Sequence, residues 1–337
     1  MNPGSSDGVA PSVAIVAIGR NEGERLKLCL RAALRDAKIV VYVDSGSTDG
    51  SAEYARSVGC SVVELDASLP FSAARARNEG FACVMKQAPD TPFVQFVDGD
   101  CELEEGWIEQ AATKLQERSG AGVVCGRVRE IHPEASVYNR LCDLEWRQPA
   151  GEVRTSGGRF MARAQVFEQV GGFRADVIAA EDDEFSIRVR GRGWKILMID
   201  TPMASHDAAI TSFGQWWRRN RRMGHAYAQV AALHGDGEER YFVQDRRKIL
   251  IWGLTLPVAA LVAAPFTRGI SLLFALCLYG LQLMHIARGC RKRGWASRDA
   301  WAYGFFTVMS RFPALQGLVE YYWRRMRRRA MTIIEYK

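Results

Sequence analysis

The sequence predicts an α/β fold in which a mostly parallel central sheet with flanking helices is followed by a C-terminal helical membrane hairpin and an interfacial helix. Short β-branched or aromatic runs alternate with helix-like stretches in the first part of the chain, which is typical of βαβ units. Two apolar runs without charged residues lie close together in the last third. The net charge is +7, yet residues 1–214 are net acidic, so the net positive charge lies in residues 215–337.

Composition limits the class of protein. The 337 residues, of which 48% are hydrophobic, suffice for one large domain or two ordinary ones with a buried core. The eight cysteines are scattered without a C-x-x-C pair, which argues against a zinc ribbon or a disulfide scaffold and favours a reducing compartment. Residues 1–12 lack the basic and apolar regions of a secretion signal, and we expect them to be disordered.

The elements of the predicted sheet follow in chain order. Strands are expected at 13–18, 39–43, 61–65 and 93–97, with helices at 22–35, 49–58 and 72–86, and further strand-like runs at 122–128 and 196–200. Ligands of such sheets bind at the carboxyl ends of the strands. The turn at 19–23 lacks the G-x-G-x-x-G pattern of dinucleotide-binding folds, and the chain carries no P-loop motif.

Acidic residues end two of the predicted strands. Asp44 opens the run 44–50, where its carboxylate can accept a hydrogen bond from a ligand, although a plain strand-to-helix turn explains the segment equally well. Asp98 and Asp100 flank Gly99 directly after an apolar strand. Such carboxylates suit Mg²⁺ or Mn²⁺ bridging substrate phosphates. Without a cation, two anions so close together would be unfavourable.

Three later features carry further candidate groups. Residues 181–184 are all acidic and open a predicted helix; they either complement the helix dipole or include a general base whose pKa its neighbours raise. His206 becomes a candidate metal ligand if the fold brings it near Asp100. Arg218 lies in a cationic aromatic segment that can contact phosphate oxygens or lipid headgroups.

The two apolar runs predict a membrane hairpin. Runs 249–266 and 270–287 contain no charged residue, and at about 1.5 Å per residue each approaches the hydrocarbon thickness of a bilayer. Basic residues flank both outer ends and only Arg268 lies in the turn, which places both flanks in the cytoplasm. The alternative is a helical pair in a soluble core. Residues 288–337 combine Arg with Trp and Tyr, which favours anionic lipid over nucleic acid as partner.

The ordered set of motifs over residues 13–225 resembles the family 2 glycosyltransferases, which are inverting nucleotide-sugar enzymes with a GT-A fold. The matching pieces are VAIVAIGRNE, VDSGSTDGS, ARARNEG, FVDGD, SGGRFMARAQVFEQVGGF, AEDDEFSIRVRGRGW, His206 and QWWRR. Two departures stand out. Gly19 and Arg20 stand where the family often has Val-Tyr, and Arg219 replaces the Trp of a Q-x-x-R-W motif. The second departure weakens the analogy to processive polysaccharide synthases.

The resemblance implies a membrane-anchored bacterial hexosyltransferase of the inner membrane, with its catalytic domain in the cytoplasm. The donor would be a nucleotide diphosphate sugar, with UDP favoured, and Mn²⁺ or Mg²⁺ would be the cofactor. The acceptor would be a hydroxyl or phosphate, and the hairpin suggests that it is lipid-linked, in cell-surface glycan synthesis. We expect the catalytic domain over 13–240 and the membrane region over 241–337.

The resemblance also assigns roles to individual residues. These are Glu22, Asp44 and Arg77 for the nucleobase; Asp98 for the ribose and the metal; Asp100 and His206 for the metal; Gly157 and Gly158 for the sugar and acceptor cleft; Arg218 for the leaving diphosphate; and Asp182, the second residue of the Glu181–Asp182 pair, for the catalytic base. Asp183 is adjacent and leaves the identity of the base open.

Two other functions share part of this pattern of residues. A membrane-anchored nucleotide-binding scaffold without turnover would keep Asp44 but should lack the metal-binding and base acids. A soluble nucleotidyltransferase would carry a Gly-rich, Lys-containing first loop, which residues 19–23 do not provide.

Overall fold

The computed structural model describes residues 12–327, which divide into two compact units. The first contains the residues up to 131, 146–175 and 181–207; the second contains 132–145, 176–180 and the residues from 208 onward. The disorder expected for residues 1–12 concerns a segment that lies, except for Ser12, outside the described residues. The predicted domain boundary at residue 240 stays a prediction.

The first unit is built on a nine-stranded mixed sheet. Its strands are β1 (Val13–Gly19), β2 (Ile39–Asp44), β3 (Ser61–Glu64), β4 (Phe93–Asp98), β5 (Cys101–Leu103), β6 (Ala121–Glu130), β7 (Gly151–Glu152), β8 (Phe160–Arg163) and β9 (Lys195–His206). Their order is β3-β2-β1-β4-β8-β6-β9-β5, with β7 paired to β9.

Helices connect and follow the strands. They are α1 (Glu24–Asp36), α2 (Ser51–Ser57), α3 (Ala73–Gln87), α4 (Trp107–Glu117), α5 (Val137–Glu145), α6 (Ala164–Gln169), α7 (Glu181–Gly191), α8 (Phe213–His234), α9 (Val243–Leu250), α10 (Leu256–Ala263), α11 (Ile270–Lys292), α12 (Ser297–Met309) and α13 (Arg311–Met326). Helices α5 and α8 to α13 belong to the second unit.

The predicted strands and the helices between them are confirmed, but the sheet is less parallel than expected. Strands β1 to β4 pair in parallel, as does β6 with β9. Strand β8 runs antiparallel to β4 and β6, and β5 and β7 run antiparallel to β9. These three strands have only two to four residues. Segments this short contain too few alternating apolar and polar residues for a strand to be predicted from the sequence.

Strand register and one close helix contact position the site. In the parallel part, Gly19 pairs with Asp44 and the preceding residue of β1 pairs with Asp98, so the carboxyl ends of β2, β1 and β4 align. Helix α3 packs closely on this sheet, because a Cβ at Gly80 would lie only 2.3 Å from Val16 Cγ1. Arg77, one turn earlier on α3, lies beside the same edge.

Each apolar run forms helix, but the two differ in regularity. The first run is divided between α9, a π-helical segment at Ile251–Thr255, and α10. Pro257 follows that segment and has no N–H for a helical hydrogen bond, which accounts for the irregularity. The second run lies within α11, the one helix of the described chain with the length and composition to cross a membrane.

The apolar side chains of α11 are exposed within the second unit. Leu273, Phe274 and Leu276 are 63%, 63% and 66% exposed, and only 11% of the most apolar stretch of α11 is buried. A helix in the core of a soluble unit would bury these side chains. The exposure therefore disfavours the soluble-core alternative for α11, while the hairpin as a whole stays a prediction.

Candidate active site

Asp44 lies buried at the end of β2 with both carboxylate oxygens engaged. The Tyr42 hydroxyl donates to Oδ1 at 3.0 Å, and the N–H groups of Gly46 and Ser47 donate to Oδ2 at 2.9 and 2.8 Å. Burial, together with the Asp44 charge, raises the pKa of Tyr42. These bonds stabilise the turn, and they leave one acceptor position, on Oδ1, for a ligand. The nucleobase role of Asp44 stays a prediction.

The loop after β1 is tied to the loop after β2 and carries Glu22. The N–H of Asn21 donates to Ser47 Oγ at 2.9 Å. Glu22 pairs with Arg25 at 2.7 Å. Its Cγ lies beside the ends of β1 and β4, because a Cβ added at Gly19 or Gly99 would come within 3.2 Å of it. Glu22 thus adjoins the Asp98–Asp100 turn.

Two guanidinium groups neutralise Asp98. Arg77 Nη2 donates to Asp98 Oδ1 at 2.7 Å, and Arg159 Nη1 donates to Oδ2 at 3.3 Å. Arginine therefore provides the positive charge that the close carboxylates were expected to require from a cation. Sequence reasoning gave Arg159 no role, although it directly follows Gly157 and Gly158, where a long side chain can reach the carboxyl end of β4.

Asp100 and His206 lie together on the other side of the same turn. His206 Nε2 is 3.2 Å from Asp100 Oδ2, because β5 and β9 pair with Cys101 opposite His206. Asp100, Cys101 and His206 are all buried, with one potential ligand atom from each within 4.8 Å of the others. Burial raises the pKa of the Cys101 thiol, although Arg159 opposes the shift. The condition set for His206, proximity to Asp100, is met.

The donor set fits a divalent cation. A carboxylate and an imidazole suit Mn²⁺, which accepts oxygen and nitrogen ligands. Both oxygens of Asp98 already accept from arginine. Asp100 and His206 are therefore the better placed ligands, and the direct metal contact expected for Asp98 stays a prediction.

Arg77 joins this side of the site to the acidic start of α7. While Nη2 bonds Asp98, Nη1 donates to Glu181 Oε1 at 2.8 Å, and Arg77 is only 2% exposed. Burial alone would lower the pKa of Arg77, but Asp98 and Glu181 outweigh it and raise that pKa. Gly158 permits the arrangement, since a Cβ there would lie 2.8 Å from Nη2. Gly157, at φ 69°, adopts a backbone conformation that favours glycine.

Asp182 lies in the first turn of α7, where its side chain is largely withdrawn from water but not fully buried. Burial, then the charges of Asp183 and Glu181, raise the pKa of Asp182 to about 8, while Arg77 acts in the opposite direction. A carboxylate titrating near neutral pH is suited to accept a proton in catalysis. The preceding Ala180 has φ 55°, an uncommon conformation for a residue other than glycine.

The remaining predicted residue lies in the second unit. Arg218 is on the first turns of α8, a helix capped by Ser212 through a reciprocal capping box with Gln215. Its predicted role at the diphosphate stays a prediction.

Two family models match the chain. The model for glycosyl transferase family 2 matches residues 12–175, and the model for glycosyl transferase family 21 matches residues 149–325. Among curated proteins, glycosyltransferase AglE of Haloferax volcanii is 25% identical over 247 residues, which are 69% of this chain and 78% of that protein.

Solved structures share the fold. The mannosyltransferase PcManGT from Pyrobaculum calidifontis, in complex with GDP-Man and Mn²⁺, superposes with a TM-score of 0.60 at 18% identity, covering 94% of this chain and 89% of that one. Residues 1–349 of S. aureus TarS superpose with a TM-score of 0.51 at 16% identity, covering 88% and 90%. At these identities the likeness concerns the fold alone.

Proposed function

The chain belongs to the glycosyltransferases of the family 2 type, with a GT-A fold, and we propose that it is a metal-dependent inverting enzyme that uses a nucleotide diphosphate sugar. One observation carries the proposal. The guanidinium of Arg77 bonds Asp98 at 2.7 Å and Glu181 at 2.8 Å, so the acids proposed for the donor and those proposed for the base adjoin one site.

With a cation bound, the metal side of the site would stabilise the leaving group. When bound at Asp100 and His206, Mn²⁺ or Mg²⁺ would supply positive charge against the departing diphosphate. Arg159 adds a fixed positive charge beside the proposed metal ligands, since its Nη1 lies 3.3 Å from Asp98 Oδ2. Asp98 and Glu22 border the same turn and are proposed to orient the donor.

The base side activates the acceptor. Asp182 takes the proton of the acceptor hydroxyl while that oxygen bonds to the anomeric carbon. The bond from the anomeric carbon to the diphosphate oxygen breaks in the same step, and its electron pair leaves with the diphosphate. One displacement of this kind inverts the anomeric carbon. The raised pKa of Asp182 suits it to this transfer near neutral pH.

Donor and acceptor are proposed by class. The resemblance favours a UDP-sugar, whereas the complex of PcManGT holds GDP-Man, so both nucleotides belong in any test. The exposed apolar surface of α11 supports a lipid-linked acceptor, such as a polyprenyl phosphate or a polyprenyl-diphosphate saccharide, at the cytoplasmic face of the inner membrane. Arg218 is proposed to meet the leaving diphosphate.

The test is a donor panel run with membranes that contain the full-length protein. UDP-, GDP- and dTDP-sugars are supplied with Mn²⁺ or Mg²⁺, and both nucleoside diphosphate release and labelled lipid-extractable product are measured. We expect one donor to give both signals, EDTA to abolish them, and added metal to restore them. Full activity in chelator would reject the metal role. Donor binding without release would favour the scaffold, and pyrophosphate release would favour the nucleotidyltransferase.

A further inference from the structure

Cys101 contributes a sulfur donor that the proposed reaction does not use. We propose that Cys101, Asp100 and His206 form a mixed sulfur, oxygen and nitrogen site for thiophilic divalent cations such as Zn²⁺, Cd²⁺ and Co²⁺, which exclude the catalytic ion when bound. The inference rests on the proposed function only in taking Asp100 and His206 as ligands of that catalytic ion.

The geometry places the sulfur at the cluster. Cys101 pairs across the sheet with His206, so both side chains lie on one face of the β5–β9 pair. Cys101 Sγ is 3.5 Å from Asp100 Oδ1, and His206 Nε2 is 3.2 Å from Asp100 Oδ2. Cys101 is 1% exposed, and Asp100 and His206 are each 8% exposed, so the three ligands lie in the protein interior and not on its surface.

The ligand set distinguishes among metals. One thiolate, one imidazole and one carboxylate are donor types that zinc accepts, and three protein ligands is the number found in zinc sites that keep a further position open. Mg²⁺ gains little from sulfur, whereas soft ligands select Zn²⁺ and related ions. The ligand atoms lie within 4.8 Å of one another, and a central ion with bonds of about 2.0–2.3 Å requires them to converge by only about 1 Å.

Binding requires that the thiol lose its proton. The cation bonds to sulfur as the S–H bond breaks, and the proton leaves to solvent, so no oxidant or reductant takes part. Arg159 Nη1 lies 3.7 Å from Cys101 Sγ and donates toward it, a contact that strengthens when the sulfur carries negative charge. A cation held by all three residues occupies the ligands Asp100 and His206, and therefore competes with Mn²⁺.

The test uses Co²⁺ and Cd²⁺ as probes of the full-length protein in detergent micelles. Co²⁺ should give a thiolate-to-cobalt charge-transfer band in the near ultraviolet, which Mn²⁺ should suppress only at large excess. Cys101→Ser should abolish the band and weaken Cd²⁺ binding by at least about tenfold in calorimetry, while Mn²⁺ affinity changes far less. Cys29→Ser is the matched control, since Cys29 is also buried and its Sγ faces Asp98 O at 3.6 Å.

The outcomes are separable. Absence of the band in the wild-type protein overturns the inference whatever the variants do, as does equal Cd²⁺ affinity in Cys101→Ser and wild type. Cys101→Ala repeats the comparison if the serine variant does not fold. Should Mn²⁺-dependent sugar transfer persist in either case, only this inference fails. Should no donor turn over with any metal, the proposed function fails instead.

Discussion

Arg77 is a buried cation shared between carboxylates on the two sides of the proposed reaction. Its planar guanidinium group donates to Asp98 from Nη2 and to Glu181 from Nη1, and a lysine ammonium cannot reproduce that geometry. We expect Arg77→Lys to lower kcat at least about tenfold and to lower the unfolding temperature, because breaking a buried pair costs about 3–5 kcal/mol.

Arg75 provides the control for that variant. It lies on the same helix, and its Nη1 bonds the exposed backbone carbonyls of Asp66 and Leu69. Arg75→Lys should leave both kcat and thermal stability near the wild-type values. Equal kcat in the Arg77 and Arg75 variants would contradict the bridging role.

The pH profile should identify the base between the adjacent acids. The pKa of Asp182 is raised to about 8, so kcat/KM should rise with pH and level off above that value. Asp182→Asn should abolish transfer while donor binding survives. Asp183→Asn should keep activity, and the rise of kcat/KM should occur at lower pH than in the wild type. The reason is that the Asp183 charge is one cause of the raised pKa of Asp182. If Asp183→Asn is the inactive variant, the base is Asp183.

The raised pKa of Asp182 also makes the stability of the folded protein depend on pH. A carboxyl whose pKa rises from 3.8 to about 8 on folding destabilises the folded state when ionised. The penalty is absent at pH values below the unfolded-state pKa of 3.8. It grows as the pH rises toward the folded-state pKa and is complete above about 8. Asp182→Asn should therefore unfold at a higher temperature than wild type, with a difference that increases from pH 4 to pH 8. A difference independent of pH would contradict the assignment.

At the level of elements, sequence patterns predicted the structure wherever a run was long enough to show its period. Strands β1 to β4 and helices α1 to α3 were predicted in place, and the acids at their ends were predicted with them. The bridging role of Arg77 was not predicted, because Arg77 and Glu181 are 104 residues apart and no local pattern connects them. His206 was predicted only conditionally, since the pairing of the three-residue strand β5 with β9 decides its position.

Helices α8 and α13 meet through glycines. A Cβ at Gly317 would lie 1.8 Å from Arg221 O, and one at Gly224 would lie 2.0 Å from Ala314 O. Backbone atoms cannot move aside as a flexible side chain can, so the helices must separate. We expect Gly317→Ala to destabilise the protein by about 1–3 kcal/mol, measured as a lower unfolding temperature.

Gly289 on α11 is the matched control, because a Cβ there meets nothing within 4 Å. Alanine favours helix by about 1 kcal/mol over glycine, so Gly289→Ala should be neutral or stabilising. If both glycine variants lose the same stability, helix contact does not explain the effect.

On the scale of the whole molecule, the apolar surface and the basic flanks lead to the prediction of a membrane-bound enzyme with its catalytic unit in the cytoplasm. Apolar side chains of α11 are exposed in the protein alone, and Arg291 and Lys292 lie in its last turn. Each Å² of this apolar surface that moves from water into lipid stabilises the membrane-bound state by about 25 cal/mol. The positive-inside rule then places the basic end of α11 in the cytoplasm, and because the predicted hairpin crosses the membrane twice, the catalytic unit lies on the same side.

Two cysteines can report on both parts of this prediction. Cys277 is exposed in the middle of α11, Cys83 is half-buried on α3 of the first unit, and the other six cysteines are buried. A membrane-impermeant maleimide should label Cys83 in inverted vesicles but not in sealed right-side-out ones, because the reagent reaches only the outer face. Cys277 should stay unlabelled in both and react once the bilayer is dissolved and the protein denatured. Labelling of Cys277 in intact vesicles would place α11 in water, and labelling of Cys83 from the right-side-out face would reverse the orientation. The variants Cys83→Ser and Cys277→Ser assign each signal to its residue.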